Sequence, residues 1–294
     1  MRVVGVDLGG TKLAAAVVDG DGRILHKRKL AIDRHDAARQ AGAVAREVVE
    51  AAGLGWDRIA GVGAIVPGIY FAETGNVWTP NLFGPEQVPL RGDLEAELPV
   101  PVVLDSDRAG YVLGEQWLGA ARGLTDVVFL AVGTGIGAGI LVNGQICRGA
   151  GDIAGSVGWF ALNPCRRPEY AQVGCWEAEA AGPAVARRAG APDAEAVVRA
   201  ARQGDAASRQ VLEETARWLG MGIANLVSLL NPQMIVLGGG LMQAGDLLLE
   251  PLRREVLEWA QPLAARQVRI ELTQLGEDAG VLGAARLALT RHVG

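Results

Sequence analysis

An internal near-repeat constrains this chain more than any other feature. VVGVDLGGTKLAAAVVDGDGRIL, from Val3, and VVFLAVGTGIGAGILVNGQIC, from Val127, align at an offset of 124 residues. Val4 falls on Val128, Leu8 on Val132, Gly9 on Gly133, and Asp19-Gly20 on Asn143-Gly144. Each copy reads as an apolar strand, a small-residue turn, a second apolar strand, and an Asp-Gly or Asn-Gly turn into a third strand. Those dipeptides suit type I′ turns, in which both central residues need positive φ. Two three-stranded meanders with matched turns imply a duplicated half.

After each meander the apolar period lengthens from 2 to about 3.6. HDAARQAGAVAREVVEAAG, from His35, reads as an amphipathic helix. IAGVGAIV and PVPVVLDSD read as buried strands, and the second leads into helical DRAGYVLGEQWLG. The later half repeats the scheme with helical SRQVLEETARWLGMGIANLVSLL, strand QMIVLGGG, helical LLLEPLRREVLEWAQ, strand VRIELTQL and helical AGVLGAARLALTRH. Alternating strands and helices make the chain α/β, in two lobes joined near residues 116 to 124. The expected division is an N-terminal lobe over 1–117, a C-terminal lobe over 118–280, and a final helix, 281–294, packing back on the first lobe.

At 294 residues and 50% hydrophobic, the chain can bury a substantial core. A net charge of −5 with interspersed signs leaves no basic footprint for nucleic acid. Glycine or charge interrupts every apolar run before the ~18 residues that a membrane span needs. The N-terminus enters a strand at once and lacks the pattern of a signal peptide. Three cysteines are too few for a disulfide framework, so cytoplasm is the default compartment.

Three glycine clusters end three strands: Gly9-Gly10-Thr11, Gly133-Thr134-Gly135 and Gly238-Gly239-Gly240. Bare backbone there lets main-chain N–H groups approach an anion, and the threonine hydroxyls add donors. Asp7, just before the first cluster, could hold hydrated Mg²⁺ beside phosphates. Any one cluster alone reads better as an ordinary tight turn; the three together, two of them on a duplicated hairpin, point to phosphate binding. Gly133-x-Gly135-x-x-Ala138 also fits a dinucleotide pattern, with Asp152 near its acidic position. That pattern requires a helix directly after the glycines, and ILVNGQI is a hairpin. No GxxxxGK[ST] stretch is present, so the P-loop is excluded as well.

With DLGGTK at 7–12, PNL at 80–82, GTGIGAGI at 133–140, GCWEA at 174–178, AGPAVARRA at 181–189 and LGGG at 237–240, the chain resembles the ROK family, especially its bacterial glucokinases, along essentially its whole length. The resemblance implies the duplicated two-lobe actin-like ATPase (ribonuclease H-like) fold, with a cleft between lobes. It also implies ATP as cofactor with Mg²⁺, phosphate contacts along Asp7 to Lys12, a small-molecule sugar partner and a homodimer. Family repressors carry an N-terminal helix-turn-helix, whereas this sequence starts at the first strand. In family kinases an Asn-Asp dipeptide precedes a helix ending in Leu-Gly-Glu, and the Asp is the base. Counting back from Leu113-Gly114-Glu115, that role falls on Asp107, with Ser106 in the Asn position. An N-cap is the alternative for Asp107, and Asp105 or Ser106 would cap equally well. By the same resemblance Asn81 and Glu177 would bind sugar hydroxyls; the alternatives are a turn residue and a solvated helix-start carboxylate.

The chain departs from the family after its second hairpin. Where the family reads Gly-Glu-x-Gly-His followed by a Cys-x-Cys-Gly-x-x-Gly-Cys knuckle, this chain has Gly155-Ser156-Val157-Gly158-Trp159 and then CRRPEYAQVGC. Only Cys165 and Cys175 remain of the thiolates, and His26, His35 and His292 lie far away in sequence. Two thiolates do not close a tetrahedral site, so no structural zinc is expected. Ser156 replaces a charged acceptor worth roughly 1.5–3 kcal/mol to a hydroxyl. The indole of Trp159 can cover an apolar sugar face and donate, but not accept; core filling is its alternative. These changes predict weak glucose binding, a different sugar, or a bulkier or less polar acceptor. A sugar kinase and a non-catalytic sugar- or nucleotide-binding protein are the two readings.

Overall fold

Both copies of the repeat fold into antiparallel meanders, and each meander gains two parallel strands from later in the chain. The structure, a computed structural model, describes residues 1–291. It divides into two units, one comprising Met1–Gly123, Arg148–Ile153 and residues 274–291, the other Leu124–Cys147 and Ala154–Thr273.

In the first unit β1 (Arg2–Leu8), β2 (Lys12–Asp19) and β3 (Ile24–Ala31) form the meander, and α1 (Ala37–Ala51) follows. Next come β4 (Val62–Val66), a small sheet of β5 (Ile69–Phe71), β6 (Asn76–Trp78) and β7 (Gln87–Val88), and two helices, α2 (Pro80–Phe83) and α3 (Leu90–Glu97). Strand β8 (Val102–Ser106) runs directly into α4 (Asp107–Leu118). The main sheet has the order β3-β2-β1-β4-β8, with β1, β4 and β8 parallel. Strand β1 reads as a continuous apolar run because both of its faces are covered. Its Val4, Val6 and Leu8 join the cluster that includes Val44 and Val48 of α1, whereas Val3 packs with the C-terminal helix.

The second unit repeats the order as β11-β10-β9-β12-β13. Its meander is β9 (Val127–Val132), β10 (Ile136–Val142) and β11 (Gln145–Ile146). Helices α5 (Tyr170–Val173), α6 (Cys175–Ala180), α7 (Gly182–Ala189), α8 (Ala194–Arg202) and α9 (Ala206–Leu230) lead to β12 (Met234–Gly238). The unit then continues through α10 (Gly245–Trp259) and α11 (Pro262–Gln267) to β13 (Arg269–Leu272). In the first unit again, α12 (Ala279–Arg291) lies against β1, β4 and α4. It approaches so closely that a Cβ on Gly5 or Gly63 would overlap the Val281 or Ala284 carbonyl. Residues 292–294, the end of the expected terminal segment, lie outside the described residues, and His292 with them. No helix among the described residues is long and apolar enough to cross a membrane.

One turn departs from expectation. Asn143 and Gly144 both have positive φ (51° and 75°), as a type I′ turn requires. Asp19-Gly20 does not form such a turn, because the Asp19 carboxylate accepts from the Asp21 and Arg23 amides at 3.1 and 2.9 Å. The loop closes around that side chain, and the positive φ falls on Gly22 (88°) instead.

Candidate functional site

The second unit contains a cavity of about 960 Å³ at the ends of β9 and β12. Gly133 and Thr134 of the β9–β10 turn, Gly182 at the start of α7, and Gly240 after β12 all line it. Two of the three glycine clusters therefore meet at one place, together with the first turn of α7, where Pro183 has no N–H and the Ala184 and Val185 amides bond the Ala181 carbonyl. The Gly133 carbonyl accepts from the Gly182 amide at 2.7 Å, fixing α7 against the turn. The Gly133 amide itself is bound to the Gly135 carbonyl at 2.9 Å. Thr134 thus offers the turn's donors to the cavity.

Gly135, Gly238 and Gly239 do not line the cavity; they shape its walls. A Cβ on Gly135 would come within 2.7 Å of the Glu177 carboxylate, which accepts from the Ile136 amide at the same distance. Gly239 has φ 92° and ψ 169°, a region that glycine essentially monopolises. Any side chain there would overlap the Val132 carbonyl. Gly238 abuts the Phe129 ring.

The charged part of the cavity wall was not legible in the sequence. Asp193, Glu195, Arg199 and Arg202 face it from α8 and its N-cap. Arg202 is fixed by Asp246, with Nε and Nη2 donating at 3.1 and 2.7 Å. On an amphipathic helix these residues look like any solvated face, and only the neighbouring elements turn them into a wall.

In the first unit the third glycine cluster forms the β1–β2 turn. Gly9 and Gly10 are half-buried, whereas Thr11 and Lys12 are exposed. Arg34 donates to the Gly10 carbonyl at 3.0 Å, a contact between residues 24 apart that no motif announced. Asp7, at the end of β1, has one buried carboxylate oxygen, Oδ1, with no hydrogen-bond partner. Burial, and secondarily the charge of Asp107, push its pKa up to about 7. Asp107 is the first residue of α4, and burial raises its pKa to about 6 against the Arg108 charge and amide. Tyr111, one turn along α4, is also shifted upward, by burial and then by both carboxylates. The first unit thus gathers two acids that ionise reluctantly.

The capping alternative for Asp107 is resolved against it. Ser106 is the N-cap, its hydroxyl accepting from the Ala109 amide at 3.3 Å. Asp107 Oδ1 accepts from its neighbour, the Arg108 amide, at 2.7 Å. Asn81 lies exposed on α2, after the buried Thr79. Ser156 precedes a single 3-10 turn over Val157–Trp159 in the second unit. Trp159 is 56% exposed, so core filling does not explain it. The core tryptophan is Trp176, fully buried and stacked on Phe160 with centroids 5.7 Å apart. Glu177 is neither a free helix-start carboxylate nor wholly open, and burial raises its pKa.

The stretch between Cys165 and Cys175 is organised by hydrogen bonds. Cys165 is exposed and Cys175 buried. Buried Glu179 accepts from Arg167 at 2.6 Å, from the Tyr170 hydroxyl, and from Arg188 at 3.4 Å. The Asn163 amide donates to the Tyr170 oxygen at 2.9 Å. Burial, then the Glu179 bond, pushes Tyr170 to about 12. Among the described residues no group of three or more His, Cys, Asp or Glu side chains could hold a metal ion.

A family model described as "ROK family" matches residues 3–291. A glucokinase of Halalkalibacterium halodurans is 32% identical, over 95% of this chain and 92% of that protein. The crystal structure of a ROK hexokinase from Thermus thermophilus superposes with a TM-score of 0.85 at 33% identity, covering 100% of both chains. A ROK-family glucokinase from Streptomyces griseus, solved with glucose and AMPPNP, superposes with a TM-score of 0.82 at 30% identity, over 99% of this chain and 100% of that one.

Proposed function

The chain belongs to the ROK family, with the actin-like α/β fold of its hexokinases, and from that premise we propose that it is a sugar kinase moving the γ-phosphoryl group of ATP to a hydroxyl of a hexose or related polyol. The observation that carries this reading is the convergence of Gly133, Thr134, Gly182 and Gly240 on one cavity of about 960 Å³. A glycine turn whose Thr134 offers its donors to the cavity suits phosphate groups. The rest of the cavity is large enough for a nucleoside, and the neighbour solved with AMPPNP supports the same use. Gly135, Gly238 and Gly239 contribute by permitting that backbone path.

Asp107 is the proposed general base. In its ionised form it orients the acceptor hydroxyl and takes its proton as the phosphoryl group arrives. Because the transition state is loose, positioning and charge neutralisation carry most of the catalysis. Gly9, Gly10, Thr11 and Lys12 are the proposed phosphate contacts of the first unit. Mg²⁺ would be held through Asp7, whose buried Oδ1 lacks a partner, with phosphates and water as its other ligands. Bound there, it would neutralise charge on the transferred group. Asn81, Ser106 and Glu177 are the proposed acceptor contacts, with Ser156 and the exposed Trp159 presenting a less polar surface than a glucose site. Assembly as a homodimer belongs to the same proposal.

Ser156 and Trp159 favour a second reading, a sugar- or nucleotide-binding protein without transfer. Phosphotransfer over a sugar panel with ATP and Mg²⁺, with Asp107→Ala as control, separates the two. The kinase reading expects transfer to some sugar, a loss of about 10²–10⁴-fold in the variant, and kcat/KM rising with pH through about 6 as Asp107 ionises. ATP binding without transfer to any acceptor supports the second reading. Failure to bind ATP defeats the kinase reading and the nucleotide-binding form of the second.

A further inference from the structure

Six residues, Arg148–Ile153, belong to the first unit although the chain on both sides of them belongs to the second. Two side chains fasten this hexapeptide. Arg148 grips the Asp105 carboxylate with both ends of its guanidinium fork, Nη1 to Oδ1 at 2.9 Å and Nη2 to Oδ2. Asp152 accepts from the Ala72 amide at 2.9 Å. Gly149 and Gly151, between the anchors, and the anchor Asp152 itself have φ of 68°, 69° and 60°. Aspartate in that region is uncommon and persists where its surroundings fix it.

Both anchors lead to proposed acceptor-side residues. Asp105 is 2% exposed, and its Oδ1 also accepts from the Ser106 amide at 2.8 Å. Ser106 in turn caps α4, and Asp107 is the first residue of that helix. Ala72 directly follows β5, which pairs with β6, and β6 leads through Thr79 to Asn81 on α2. One short segment therefore fixes the strand end before the base and the small sheet before the sugar contact.

We propose that Arg148 is a positioning residue of the phosphotransfer reaction: through its two-pronged hold on Asp105 it sets the β8–α4 junction, and so the placement of Asp107. The inference rests on the kinase reading above. A buried ion pair is weak evidence for stability, because desolvation offsets the attraction. What the fork supplies is geometry, since a planar guanidinium satisfies both oxygens in one orientation and a lysine cannot. Misplacing a reacting group by about 1 Å can slow a reaction about 10²-fold.

The test compares Arg148→Lys, Arg148→Met and the double variant Arg148→Met/Asp105→Asn with the wild type, using the sugar found in the panel. Arg148→Met should lower kcat about 10²-fold while KM for ATP stays within about twofold, because the nucleotide cavity belongs to the other unit. Arg148→Lys should recover part of the loss. The double variant removes the stranded buried charge, so it should regain thermal stability yet keep the low kcat. Recovery of kcat along with stability in the double variant would overturn the proposal. So would an Arg148→Met protein whose kcat stays within about threefold of wild type. A wild type that phosphorylates nothing defeats the kinase reading instead. Hydrogen exchange at the Ser106 amide then decides the tether: acceleration of about tenfold or more in Arg148→Met upholds it, and unchanged exchange sinks it.

Discussion

The two glycine turns of the repeat share a topology and differ in almost everything chemical. In the first, Leu8 pairs with Leu13, so four residues make the turn; in the second, Val132 pairs with Ile136, and three suffice. The first is preceded by Asp7, a carboxylate pushed towards neutrality by burial, whereas the matching position of the second is Ala131. Gly10 has open space around it, while Gly135 is pressed against Glu177 and Gly133 is tied to α7. Duplication thus supplied two similar backbones, of which one unit acquired ionisable groups and the other a walled cavity. A phosphate turn is a backbone device; what it does is set by what packs behind it.

The sharpest way to break that contrast is a pair of alanines. Gly239→Ala should destabilise by about 3 kcal/mol or more and abolish nucleotide binding, because it combines the strained φ with overlap on the Val132 carbonyl. Gly10→Ala, with nothing within 4 Å and no positive φ, should change stability by less than about 1 kcal/mol. Chemical denaturation and nucleotide titration of both variants check this, and equal losses would erase the distinction between a packed and an open turn.

Asp7 offers the next largest effect. A carboxyl whose folded pKa is raised from 3.8 to about 7 contributes stability that is fully present below about pH 4. That contribution disappears as pH rises through about 7, because the buried group must then ionise. Asp7→Asn should therefore raise stability by about 2–4 kcal/mol at pH 8, without metal or nucleotide, and by almost nothing at pH 4. Unfolding curves at the two pH values measure it, and a pH-independent difference would mean that Asp7 is already well solvated.

Within the second unit, Glu179→Gln should destabilise by about 2 kcal/mol, since it removes the charge shared by Arg167, Arg188 and Tyr170. Hydrogen exchange should rise over residues 161–174 while the nucleotide affinity stays near wild type. Treatment with a chelator should leave the melting temperature of the wild type unchanged. The smallest expected effect concerns the acceptor: Ser156→Glu with Trp159→His should improve glucose binding by roughly tenfold, about 1.4 kcal/mol, as calorimetry or KM would register. No change would place the discrimination among sugars elsewhere, with Asn81 and Glu177 the next positions to vary.

Much of this was legible in the residues. The period-2 strands, the glycine turns and the order of the helices follow from local pattern, and the repeat predicted two sheets of one design. Between Asp105, Ser106 and Asp107 the pattern could not choose a cap, because all three residue types accept from the same amides. The backbone path chose Ser106 and left Asp107 inside the helix. Trp159 and Trp176 are equally apolar on paper, yet one is 56% exposed and the other fully buried. Arg148 and Asp105 are 43 residues apart, and no periodicity reports a contact of that kind.

By itself, the sequence determined the elements, their pairing into a duplicated α/β design, and the family, because hydrophobic period and turn chemistry act over a few neighbouring residues. Only the tertiary structure decided which carboxylates ionise reluctantly, which glycines line a cavity and which are merely crowded, and which arginine holds the strand end before Asp107. Desolvation and close contact sum over groups that distant parts of the chain bring together, and that sum exists only once the chain is folded.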